Sequence, residues 1–68
     1  MNEEVLNGSV RKFLKKVGIT SQREIEQAVR EAVANGRLKG SESLLAKATV
    51  EVEGLGLKFD VQGDVELE

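Results

Sequence analysis

Sixty-eight residues are expected to make one domain, close to the lower size at which a core without staples gives a stable fold, with no room for a second. The chain has neither cysteine nor histidine, which excludes a disulfide framework, a thiolate or imidazole metal site, and any nucleophile activated by histidine. Hydrophobic residues make up 40% and charged ones 32%, outside the range of disordered chains, and the net charge of -2 divides unevenly. Residues 1 to 40 carry eight Lys and Arg against five Glu, a net of +3, and residues 41 to 68 carry two Lys against seven Asp and Glu, a net of -5. No apolar run approaches the ~20 residues that span a bilayer, and the acidic start is unlike a signal peptide, so the expected setting is cytoplasmic and not a membrane.

The first element is expected over Asn2 to Val17, where Leu6, Val10, Phe13, Leu14 and Val17 keep helical spacing through Gly8. Glu3 and Glu4 suit the positive end of its dipole, and Arg11, Lys12, Lys15 and Lys16 suit the negative end, with Gly18 as its stop. A second helix is expected over Ser21 to Ala34, with Ile25, Ala28, Val29, Ala32 and Val33 on one side. Ser21 and Glu24 form a capping-box pattern at its start, and Asn35-Gly36 closes it. Only Gly18-Ile19-Thr20 would separate the two, which predicts a helical hairpin or a helix-turn-helix corner with Ile19 turned inward.

Arg37 to Ser43 has glycine and serine but no period and reads as a crossover. From Ala46 the period becomes two: Ala46, Ala48, Val50 and Val52 alternate with polar residues, and Leu57, Phe59, Val61, Val65 and Leu67 do so again, with Gly63 in phase as a kink or bulge. An antiparallel register with Val52 opposite Leu57 sets Val50 against Phe59, Ala48 against Val61, and Glu51 beside Lys58, whereas the alternative would oppose Glu51 and Asp60. Gly54-Leu55 would then be a two-residue type II′ loop. The expected fold is one α+β domain over residues 1–68, a two-layer α-α-β-β arrangement with a helical hairpin on one face of a β-hairpin. Two open sheet edges without proline further suggest a homodimer that continues the sheet.

The run Val10-Arg11-Lys12-Phe13-Leu14-Lys15-Lys16-Val17-Gly18-Ile19-Thr20-Ser21-Gln22-Arg23-Glu24-Ile25-Glu26 resembles the signature of a family of very short bacterial proteins classed as a domain of unknown function. The resemblance extends to the acidic N-terminus, the Gly36-Arg37-Leu38-Lys39-Gly40 segment and the acidic C-terminal strand. It implies a bacterial, stand-alone domain and no particular activity.

The candidate contact residues are Arg11, Lys12, Lys15, Lys16 and Arg23, with no acidic residue between Val5 and Arg23 to offset them. Such a cluster can grip phosphates, but charged runs are usually a solvated face, and Phe13 and Phe59, the only aromatics, fall on core-facing positions instead of offering bases a stack. A reading of Gln22, Arg23 and Gln27 as base contacts meets Glu24 and Glu26 in the same turn. The carboxylates Glu51, Glu53, Asp60, Asp64 and Glu66 match no cation-loop spacing, and Gly54-Leu55-Gly56 opens no helix that would cradle a phosphate. These features predict a non-enzymatic protein-interaction or regulatory module without a cofactor, acting on an unidentified protein partner; the alternative is weak nucleic-acid binding through the basic cluster.

Overall fold

The computed structural model describes residues 1–68 and has three elements, α1 (Glu3–Ala34), β1 (Ser43–Val52) and β2 (Leu57–Glu66), so the fold class is α+β. The chain divides into two units, Met1–Arg37 and Leu38–Glu68.

The first unit is a single helix of 32 residues, about 48 Å long at the standard rise. The expected helical hairpin is therefore replaced by one uninterrupted helix, and there is no helix-turn-helix corner. Breaking it at Gly18 would strip intrahelical partners from up to four carbonyls and four N–H groups, whereas carrying glycine through the interior costs ~1 kcal/mol relative to alanine. The chain has no proline, so nothing in Gly18-Ile19-Thr20 removes a helical N–H. Ser21 and Glu24 accordingly lie inside the helix and form no cap.

The real start is Asn2, with extended backbone (φ -114°, ψ 115°), whose side chain accepts from the N–H groups of Glu4 at 2.9 Å and Val5 at 3.1 Å. The end lies where Asn35-Gly36 predicts it. Gly36 has φ 83°, its N–H donates to the Val33 carbonyl at 3.2 Å, and the Arg37 N–H donates to the Ala32 carbonyl at 2.9 Å. This paired closure is a Schellman motif, which needs the left-handed residue that glycine supplies without a Cβ clash.

In the second unit β1 and β2 form an antiparallel hairpin in the register expected from the residues: Val52 opposes Leu57, Val50 opposes Phe59, Ala48 opposes Val61, and Glu51 opposes Lys58. Pairing begins three residues earlier than the alternation from Ala46 indicates, because Ser43, Leu44 and Leu45 oppose Glu66, Val65 and Asp64. It runs without interruption past Ala46 and Gly63, so Gly63 marks no bulge. One face is wholly apolar along its length, from the Leu44–Val65 pair to the Val52–Leu57 pair. The other is polar except for Leu45, which is 72% exposed.

The loop differs from the expected two-residue turn. Glu53 to Gly56 form a four-residue connection in which the Leu55 N–H donates to the Val52 carbonyl at 3.4 Å, and both Gly54 (φ 86°) and Gly56 (φ 62°) are left-handed. Two glycines distribute the reversal over four residues, where a type II′ turn would need only one in that conformation.

Candidate functional site

At about 100° per residue, Arg11, Lys12, Lys15, Lys16 and Arg23 fall on the side of α1 away from Leu6, Val10, Phe13 and Val17. All five are exposed, and none lies within ion-pairing distance of a carboxylate. Continuity of the helix moves them from the end of a helix to its interior. The last turn carries no basic residue, so the dipole does not account for the cluster, and it stands as an unpaired cationic face. An open groove beside it is lined by Gly8, Arg11, Lys12, Leu14 and Lys15. Ile19, expected to turn inward, sits instead within the helix among Gln22, Arg23, Glu26 and Arg30, and is 51% exposed.

The second half of α1 carries its own polar chain. The Gln22 amide donates to Glu26 at 2.9 Å, and the Arg30 guanidinium donates to the other oxygen of the same carboxylate at 3.1 Å. The Gln22 amide and the Arg30 guanidinium hold the Glu26 carboxyl below its ordinary pKa. Gln27 donates to Glu31 at 3.3 Å one turn further on. These i, i+4 contacts lie in solvent and fix the helix surface more than they stabilise it.

The acidic residues of the hairpin do not gather. Asp60 accepts from the Thr49 hydroxyl at 2.7 Å across the strands, and Glu51 faces Lys58 at 3.6 Å. Glu53 lies in the turn, Asp64 opposes Leu45, and Glu66 opposes Ser43. No three acidic side chains in the chain converge on a point that could hold a metal ion.

Two sites were not apparent from residue patterns. Asn2 is the first; its signal was an Asn placed directly before Glu3-Glu4. The second is Glu42, whose carboxylate accepts from the backbone N–H groups of Lys39 at 2.8 Å, Gly40 at 2.9 Å and Ser41 at 3.1 Å. Gly40, at φ 100°, lets these three donors converge, and the Lys39 N–H leads the bonds that pull the Glu42 pKa down. The nest is filled by the chain's own carboxylate, so it ties down the crossover instead of binding an external anion.

The pattern that defines a family of unknown function (DUF6494) matches residues 1–68, the whole of the chain. The chain belongs to that family. DUF6494 membership carries no assigned activity, and no helix here is long and apolar enough to cross a membrane. No curated protein and no solved structure matches the sequence.

Proposed function

We propose that this DUF6494 protein works by binding another protein, as a small non-enzymatic interaction or regulatory module. One observation carries the reading: each unit, taken by itself, has a continuous apolar face and buries no side chain. On the helix Leu6, Val10, Phe13 and Ile25 are 41 to 48% exposed, and on the hairpin Leu57, Phe59 and Val61 are 44 to 54% exposed. Apolar surface in that quantity and arrangement marks an interaction site, since a solvated face would be polar. A two-stranded sheet also needs more strands or a covering layer for independent stability, and it leaves two edges that a partner strand can extend.

The second reading, weak nucleic-acid binding, keeps one specific observation in its favour: the five cations of the basic cluster have no carboxylate partners. It gives no role to the apolar stripe or the hairpin. A photo-crosslinking residue placed at Phe13 and expressed in the source cells separates the two. A discrete protein adduct supports the interaction reading. Absence of any protein adduct, combined with DNA retention by the purified chain that weakens steeply with salt, replaces it with the nucleic-acid reading.

A further inference from the structure

Gly63 has no role within its own hairpin. It sits in the uninterrupted β1–β2 ladder opposite Ala46, its φ is not positive, and a Cβ added to it would meet no atom within 4 Å. A strand-interior glycine that makes no turn, bulge or close approach costs stability, and such a residue marks a place that a neighbour from outside approaches. Asp64 beside it opposes Leu45 and has no cation within ion-pairing distance. Both residues lie on β2, whose outer edge is open. The Leu67 N–H donates to the Glu42 carbonyl at 3.1 Å, which fixes the phase of the ladder. The odd-numbered residues of β2 turn their main-chain groups to β1, and Lys58, Asp60, Gln62 and Asp64 turn theirs to the open edge.

That edge is complementary to itself when reversed. Two antiparallel β2 strands centred on Val61 pair nine residues, 57 to 65, and keep the apolar side chains on one face. Lys58 then opposes Asp64 twice and Asp60 opposes Gln62 twice, each of these pairs exchanging two main-chain hydrogen bonds. On the apolar face Phe59 lies over Gly63, the fit in which an aromatic ring covers the glycine of a facing strand, and Leu57 meets Val65. Lys58 is free to turn to Asp64, since its own contact with Glu51 is a solvent-exposed pair at 3.6 Å. Neighbouring registers do worse: a centre at Asp60 opposes that residue to itself, a centre at Gln62 opposes Asp60 to Asp64, and a centre at Phe59 pairs only residues 57 to 61. The β1 edge has no equal match, because the register centred on Ala48 sets Leu45 against Glu51 and forms no ion pair.

We infer that β2 pairs with β2 of a second copy of this chain, antiparallel and centred on Val61, in a closed four-stranded sheet of order β1-β2-β2-β1. The inference rests on the interaction reading above and deepens it by naming the edge, the register and the partner. A second copy fits because it supplies, in reversed order, the aromatic ring for Gly63 and the cation for Asp64. Two-fold closure also gives the hairpin the additional strands that independent stability requires.

The absence of cysteine makes the test direct. Val61→Cys puts two thiols on the two-fold axis in a non-hydrogen-bonded pair with Cα atoms about 4.5 Å apart, a separation that a disulfide bridges. Ala48→Cys, opposite Val61 on β1, lies three strand spacings from its equivalent, about 14 Å, and is out of range. The expected result is a dimer by sedimentation, with oxidation of Val61→Cys to a covalent dimer and none for Ala48→Cys. Lys58→Asp and Asp64→Lys are each expected to raise the dimer dissociation constant about tenfold. Mixing those two variants is expected to restore association as a heterodimer in which both charge pairs are again opposite. Circular dichroism on each variant confirms that the fold is intact.

A monomer overturns the inference. So do assemblies that keep growing with concentration, in which β2 joins β1 of the next copy without closing. A disulfide at Ala48→Cys and none at Val61→Cys moves the seam to β1 and overturns it too, as does failure of mixing to restore association. A monomer that still forms a discrete adduct with another protein at Phe13 removes the self-pairing and leaves the interaction reading standing.

Discussion

Replacing Gly18 by alanine distinguishes a continuous helix from a helical hairpin through the sign of its effect. In the structure Gly18 has helical backbone in the middle of α1, and an added Cβ would meet no atom within 4 Å. Alanine there gains the propensity difference, about 1 kcal/mol, largely by restricting the unfolded chain. For a domain of this size that corresponds to a rise in Tm of about 4 to 8 °C. Gly8 is in the same situation, with no atom within 4 Å of its added Cβ, so the double variant should gain about twice as much if the sites act independently. Gly36 supplies the opposite control: its φ of 83° is strained for any L residue, and Gly36→Ala should cost about 1 kcal/mol. If Gly18 were the terminal residue of a first helix, Gly18→Ala would behave like Gly36→Ala. The assay is thermal and urea unfolding followed by ellipticity at a single fixed protein concentration, because association makes Tm depend on concentration. A lower Tm for Gly18→Ala, or a loss of helical ellipticity at low temperature, would refute the continuous helix.

Two other substitutions test the ends and the crossover. Ser21→Ala is expected to be neutral or to stabilise by a few tenths of a kcal/mol as an interior helix position, while Asn2→Ala is expected to cost about 1 kcal/mol through loss of the cap; urea titration of both variants checks the contrast. Backbone N–H groups lower the folded-state pKa of Glu42, so its contribution is fully present above the unfolded pKa and is lost as the pH falls through the lowered folded value. An acid titration of the amide signals of Lys39, Gly40 and Ser41 should therefore show the crossover loosening only below the ordinary glutamate range, and Glu42→Gln should flatten that titration.

Much of the hairpin was legible because its cues are local. A period of two, the like-charge conflict in the competing register, and glycines between the two runs are enough to align Val52 with Leu57 and to place Glu51 beside Lys58, as the structure has them. The C-terminal closure of α1 was legible for the same reason, since Asn35-Gly36 offers the one residue type that enters the left-handed region freely. The α+β class follows from those periods alone.

The middle of the helix was not legible, because Gly18, Thr20, Ser21 and Glu24 reproduce the local chemistry of a stop and a cap. Those residues are permissive and not obligatory: glycine and serine tolerate the helix interior at a cost of about 1 kcal/mol or less, and only the three-dimensional chain shows that up to eight intrahelical partners weigh more. The same holds for the basic cluster. Arg11, Lys12, Lys15, Lys16 and Arg23 are plain in the residues, but their meaning depends on where the helix ends, and an interior position removes the dipole as their explanation. The Glu42 nest was out of reach altogether, since three N–H donors converge on one carboxylate only once Gly40 adopts φ 100°. Periodicity and turn chemistry are properties of neighbours along the chain, so the amino-acid order determined the helical and strand character of each segment and the strand register. Whether adjacent helical segments join, and which donors a side chain meets, is a competition between whole-chain hydrogen-bond ledgers, and only the tertiary structure decided it.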